Sequence, residues 1–217
     1  MPVVSENTEM LLTCAPEVLD PVLISFGFRR AQRSLVYARD FPEAKQELSL
    51  TYDSSPRYGL GAKIHLHPTF QIRMPEIAVE ALQMTEDPFR FGTGDVIIGW
   101  PVDFLAPRSE HQRWFVSDAA SCRLALEDIA AIFHQWVEPF LRDYTSPNEL
   151  LRQYEAGDKR LVQPSHFFVF IAACYRRLGQ SDKAAQVLAR HLGKPGLRKV
   201  YAKAFDSVLN RNTRLAP

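Results

Sequence analysis

Cysteine is scarce and odd in number. Cys14, Cys122 and Cys174 are spread over 217 positions, each among apolar neighbours. That pattern excludes a disulfide framework and predicts buried thiols in a reducing compartment. No apolar run approaches the roughly 18 residues that span a bilayer. The opening residues Met1 to Glu9 lack the basic and apolar regions of a secretory signal. The chain reads as a soluble cytoplasmic protein with no membrane partner. An excess of either charge is missing too, since 26 Lys/Arg face 25 Asp/Glu for a net charge of +1, which gives no sign of a nucleic-acid binder. Absent as well are the motifs of zinc proteases, serine hydrolases and redox enzymes: no HExxH, GxSxG, CxxC or DxD stretch occurs.

What is present divides near Pro147. Residues 1–147 hold 13 Lys/Arg against 20 Asp/Glu, whereas residues 148–217 hold 13 against 5. The text changes character at the same place, from short alternating runs to continuous helical spacing. The length suits a body plus a subdomain. The expected class is α+β: an N-terminal antiparallel β-meander packed with helices over 1–145, followed by a C-terminal all-helical bundle over 146–217. An acidic α+β body with a basic helical tail suits binding better than catalysis.

In the body, Thr8–Phe26 has helical spacing, with Pro16 and Pro21 expected to kink or restart it and Gly27 placed as the residue after its end. Ser34–Phe41 is a strand candidate. Glu47–Tyr52 alternates with period two, and so does Ala62–Leu66, with Phe70 and Ile72 continuing beyond a break at Pro68. Asp53-Ser54-Ser55-Pro56 is a turn cluster between them. Pro75 opens a helix to about Thr85. Val96–Ile98 and Arg113–Ser117 are short strand candidates. Ser117 or Asp118 then caps a long helix whose stripe is Ile129, Ile132, Phe133, Trp136, Val137, Phe140 and Leu141. In the tail, Ser146-Pro147-Asn148-Glu149 is a helix-start signal. Further helices begin at Ser165, Ser181 and Pro195 or Gly196.

Few side chains suggest chemistry. His65 and His67 share one strand face, the geometry of a metal-ligand pair, but the spacing identifies no third ligand; His111 or a carboxylate would have to come from the fold. A solvated strand face is the preferred reading, so no metal, cofactor or catalytic residue is assigned. Gly92-Thr93-Gly94-Asp95 lacks the lysine and helix of a phosphate loop. His134 and Glu138 stand one turn apart and read as a surface pair. Cys174 reads as core. Arg198, Lys199, Lys203, Arg211 and Arg214 read as a solvated basic face, or one drawn to the chain's own acids. The stretch 86–113 carries Phe89, Phe91, Trp100 and Phe104 beside Asp87, Asp95 and Asp103, the mixture of aromatic anchors and acids that would match a basic cleft on a partner protein.

Two resemblances follow. Ala172, Tyr175, Gly179, Ala184 and Leu188 resemble the positions of a tetratricopeptide hairpin, with His191 departing from its usual small residue; one copy implies helix-pair packing, because such arrays need about three repeats. The layout of residues 9–155 resembles bacterial immunity domains encoded beside polymorphic toxins. It rests on Phe26-Gly27-Phe28-Arg29-Arg30, Leu35-Val36-Tyr37, Gln46–Tyr52, Lys63–Ile72 and Trp136-Val137-Glu138-Pro139-Phe140-Leu141. The resemblance implies an immunity protein that neutralises a cognate toxin domain by occluding its active site, and it carries over no catalytic residues. The other readings of the chain are a metal-dependent hydrolase using His65 and His67, and a helical adaptor acting through the tail.

Overall fold

The computed structural model describes residues 5–59, 61–91 and 94–214, without the side chains of Phe89 and residues 210–214. The fold is α+β, an antiparallel sheet in the N-terminal half followed by helices. The chain forms two compact units that do not follow one cut in the sequence. The first comprises 1–40, 45–72 and 99–142; the second comprises 41–44, 73–98 and 143–217. A division at 145/146 would place only the tail helices in the second unit.

In the first unit, α1 (Glu6–Ser25) begins at Ser5, whose Oγ accepts a hydrogen bond from the Thr8 amide at 3.2 Å. It runs unbroken through Pro16 and Pro21, so neither proline restarts it. Leu11, Ala15, Leu19 and Leu23 are fully buried, and the helix packs on α4 (Ala119–Ile132). That packing holds the helix across the backbone bonds the two prolines cannot make. Gly27, at φ +83°, then turns the chain into the sheet, a conformation that costs glycine little.

The strands are β1 (Arg29–Arg30), β2 (Val36–Asp40), β3 (Lys45–Ser54), β4 (Ile64–Arg73), β5 (Val96–Pro101) and β6 (Trp114–Val116). They form one six-stranded sheet in the order β1-β2-β3-β4-β5, with β6 also on β4. Consecutive strands are neighbours, which makes the expected meander. The break anticipated at Pro68 does not occur, and β4 passes straight through it. Strand β6 pairs with Ile64–Leu66 alone, so the missing Pro68 N–H lies beyond that ladder and costs no bond to β6.

Helix α4 starts at Asp118, which caps the Ser121 amide at 2.8 Å while Ser121 Oγ accepts from the Asp118 amide at 3.0 Å. After Ile132 the helix widens into a π turn over Phe133–Val137 before α5 (Glu138–Arg142). Pro139 lies just beyond, and a wide turn is how a helix absorbs a residue that cannot donate. Phe133, Val137, Phe140 and Leu141 stay fully buried. Glu138 is only 2% exposed, which corrects its reading as a surface partner of His134. It pairs with Arg39 at 3.0 Å and Arg142 at 2.8 Å. Arg39 also donates to Gln46 Oε1 (2.7 Å) and Phe26 O (2.9 Å), and Gln46 Nε2 donates to Leu141 O (2.7 Å). One buried polar network thus ties two strands to both long helical segments of this unit.

In the second unit, α2 (Pro75–Thr85) carries Pro75 in its first turn, and the short α3 spans Pro88–Phe91. Helix α6 (Pro147–Glu155) starts at Ser146, whose Oγ accepts from the Glu149 amide at 3.2 Å. Helix α7 (Phe167–Arg177) is buried on every side from Phe167 to Arg176. It packs against α2 and against α8 (Ser181–Leu192). The expected last helix is two, α9 (Pro195–Val200) and α10 (Ala202–Arg214), broken at the buried Tyr201. Helix α10 packs on α2 and α8. Tail cations pair with acids of the α2 region: Arg176 with Glu80 at 2.6 Å, Arg177 with Glu76 and Lys203 with Glu86.

Candidate functional site

The β3–β4 hairpin assembles the one group of metal-ligating side chains found among the described residues: Asp53, His65 and His67. The hairpin register brings them together. The Ser55 amide donates to Lys63 O at 2.8 Å, and Thr51 Oγ1 donates to His67 O at 2.6 Å. Asp53 therefore stands opposite His65, with His67 on its diagonal. His67 Nε2 lies 2.9 Å from Asp53 Oδ2, and the two imidazoles are 4.0 Å apart.

His65 is not solvated, as its strand position suggested. It is 8% exposed, stacked on Phe115 at 4.6 Å, with Nδ1 2.9 Å from the Tyr58 hydroxyl. That hydroxyl also donates to Asp53 Oδ2 at 3.3 Å. Burial, then the neighbouring His67, lowers the His65 pKa below its ordinary value. The hydrogen bond from His67 holds the Asp53 carboxyl below the usual carboxylate range. The connecting loop fits closely: a Cβ on Gly59 would meet the Phe115 ring at 2.7 Å. Asp53 and Tyr58 were missed from the sequence because the first read only as a turn residue. Asp53 comes across from His65 because the hairpin closes about Gly59, several residues beyond the Asp53–Pro56 turn cluster. His111 is not part of the group, its Nε2 lying 3.1 Å from Ala106 O.

The aromatic and acidic residues of 86–113 are divided between the two units, those up to Ile98 in the second and those from Gly99 in the first. Phe91 is 3% exposed and packs edge-on against Phe170 at 5.3 Å. Asp95 pairs with Arg73 at 2.7 Å, and Asp87 with Arg90 at 3.6 Å. The Phe89 side chain, like Gly92 and Thr93, lies outside the described residues. Trp100, Asp103 and Phe104 are different. Trp100 is half-buried, supported by Phe70 at 5.9 Å and Phe140 at 5.5 Å. Phe104 lies 4.9 Å from it and is 39% exposed, with the half-exposed Asp103 beside it. Two rings are thereby presented on a base of two others.

The remaining reactive groups serve the scaffold. All three thiols are buried; burial and the nearby Cys14 push Cys122 up to about 12, and burial raises Cys174 too, so neither is a ready thiolate. In the second unit, an open cleft of about 480 Å³ has Tyr154, Glu155, Tyr175, Lys183 and His191 among its lining residues. Its carboxylate is already engaged by Tyr175 (2.7 Å) and Lys183 (3.0 Å), and His191 stacks flat on Phe168 at 3.7 Å. That stacking accounts for a large ring where the tetratricopeptide pattern has a small residue. Of the basic tail, Arg198 lies over the Phe205 ring at 4.5 Å, while the side chains of Arg211 and Arg214 lie outside the described residues. No described helix is long and apolar enough to cross a membrane.

The fold and sites define an α+β chain with an aromatic ledge and a histidine–aspartate cluster. No protein-family model, curated protein or solved structure matches it.

Proposed function

We propose that the chain is an immunity-type protein, which binds a cognate bacterial toxin domain and neutralises it by covering its active site without turning anything over. The observation that supports this is the ledge of Trp100 and Phe104. Its rings are 4.9 Å apart and braced from below by Phe70 and Phe140. Rigid, partly exposed aromatics lose little conformational entropy on docking and are the commonest energetic anchors of protein interfaces. Asp103 supplies a negative charge beside them, suited to the basic cleft of an enzyme that acts on an anionic substrate. Among the described side chains of 86–113, the proposed contact residues are Trp100, Asp103 and Phe104. Phe91 belongs to the core, and Asp87 and Asp95 are spent on internal ion pairs.

The test is to sequence the genes flanking this chain's own and to co-express it with the C-terminal domain of any large protein that a flanking gene encodes. The expected result is growth restored by the wild type and a co-purifying complex of fixed stoichiometry. Trp100→Ala with Phe104→Ala should weaken that complex by roughly a hundredfold, the loss typical of two anchors. Unrescued growth and an absent complex would sink the reading.

A further inference from the structure

Two imidazoles and a carboxylate converge at the β3–β4 hairpin, although no sequence motif announces a metal centre. We propose that Asp53, His65 and His67 form a binding site for a divalent transition-metal ion of the zinc class. Their ligand atoms all lie within 4.8 Å of one another. Around a tetrahedral ion with bonds of roughly 2.0–2.1 Å, ligands stand about 3.4 Å apart, so small side-chain rotations close the set.

The backbone supplies the convergence. Two residues two apart on β4 present one face, and their cross-strand neighbour on β3 completes the triangle. Nitrogen-rich ligation with one carboxylate selects zinc, cobalt, nickel or copper over magnesium or calcium, which require oxygen ligands.

The surroundings resemble the outer support of a metal site more than an ordinary exposed ion pair. His65 is fixed on both sides, by stacking on Phe115 and by the 2.9 Å contact of Nδ1 with Tyr58. Such outer partners hold a ligating imidazole in one orientation and one tautomer. The His67 and Asp53 side chains, by contrast, are 41% and 62% exposed. Three protein ligands on this rim leave a coordination position open to water. The site is distinct from the Trp100–Phe104 ledge and does not depend on the immunity reading.

The experiment uses the full chain, stripped with a chelator and titrated with zinc by calorimetry and with cobalt by visible absorption. One equivalent should bind, with the intense visible bands of four-coordinate cobalt. His67→Ala and Asp53→Asn alter exposed side chains and should keep the circular dichroism of the wild type while weakening zinc binding at least a hundredfold. Tyr58→Phe should weaken it about tenfold, the usual effect of losing an outer partner. Zinc should raise the melting temperature of the wild type by about 3 °C or more, and that of the double variant not at all. Binding below a tenth of an equivalent would overturn the proposal, as would undiminished binding in the His67→Ala, Asp53→Asn double variant.

Discussion

Single residues here matter most where charge is buried. Glu138 is the clearest case, because its carboxylate is almost fully buried between Arg39 and Arg142. Removing one partner of a buried pair leaves the other charge uncompensated, at about 3–5 kcal/mol. Glu138→Ala should therefore lower the unfolding free energy by that amount in urea titration, against well under 1 kcal/mol for Glu6→Ala, whose side chain is 88% exposed. Asp158 adds a pH dependence. Burial alone would raise its pKa, but hydrogen bonds from Arg160 and Tyr144 more than offset that and leave the carboxyl below its ordinary 3.8. Tyr144 donates to it at 2.7 Å and the Arg160 amide at 2.9 Å. A folded-state pKa below the unfolded one gives stability that is complete above the unfolded value and is lost as pH falls through the folded value. Asp158→Asn should thus cost about 1–3 kcal/mol at pH 7. The gap should narrow steadily once the pH drops below 3.8, as unfolding curves taken at pH 7, 4 and 2.5 would show.

At the scale of elements, local signals were legible wherever backbone chemistry is local. Pro75, Asp118 and Ser146 announced helix starts, and Gly27 a helix end. Gly27→Ala should cost about 1 kcal/mol, since its φ of +83° suits no side chain; thermal unfolding would register a drop of a few degrees. Signals failed where a tertiary partner overrode them. Pro16 and Pro21 do not interrupt α1, because its buried face is held by α4. Pro68 does not end β4, and its missing N–H lies beyond the ladder that β4 forms with β6. The π turn before Pro139 leaves no periodicity to read, since the apolar stripe continues across it. The histidine pair was visible and its third member was not. The relation of Asp53 to His65 is a property of hairpin register, which depends on where the turn closes. Likewise the aromatics of 86–113 were countable, but only packing separates the buried Phe91 from the exposed Phe104.

The whole molecule turns on how the chain is divided. Composition changes at Pro147, and the tail taken alone has the spacing of a self-sufficient helical bundle. Yet the compact unit that contains the tail also contains 41–44 and 73–98, and α2 supplies packing for both α7 and α10. The charge asymmetry follows from this arrangement, because tail cations Arg176, Arg177 and Lys203 meet Glu80, Glu76 and Glu86. What looked like a basic surface is in part a set of internal pairs. A fragment of residues 146–217 would therefore keep the cations and lose their partners. It would also uncover α7, whose Phe167 to Arg176 are all buried in the full chain. Ten consecutive buried residues leave that helix no polar face to turn toward water, and a short helix without its packing surface is marginal. The isolated fragment should show reduced helicity by circular dichroism, bind a hydrophobic dye and melt without a cooperative transition. A fragment that melted as sharply as the full chain would mean that α2 is dispensable to the tail, and that the compositional break marks a true folding boundary.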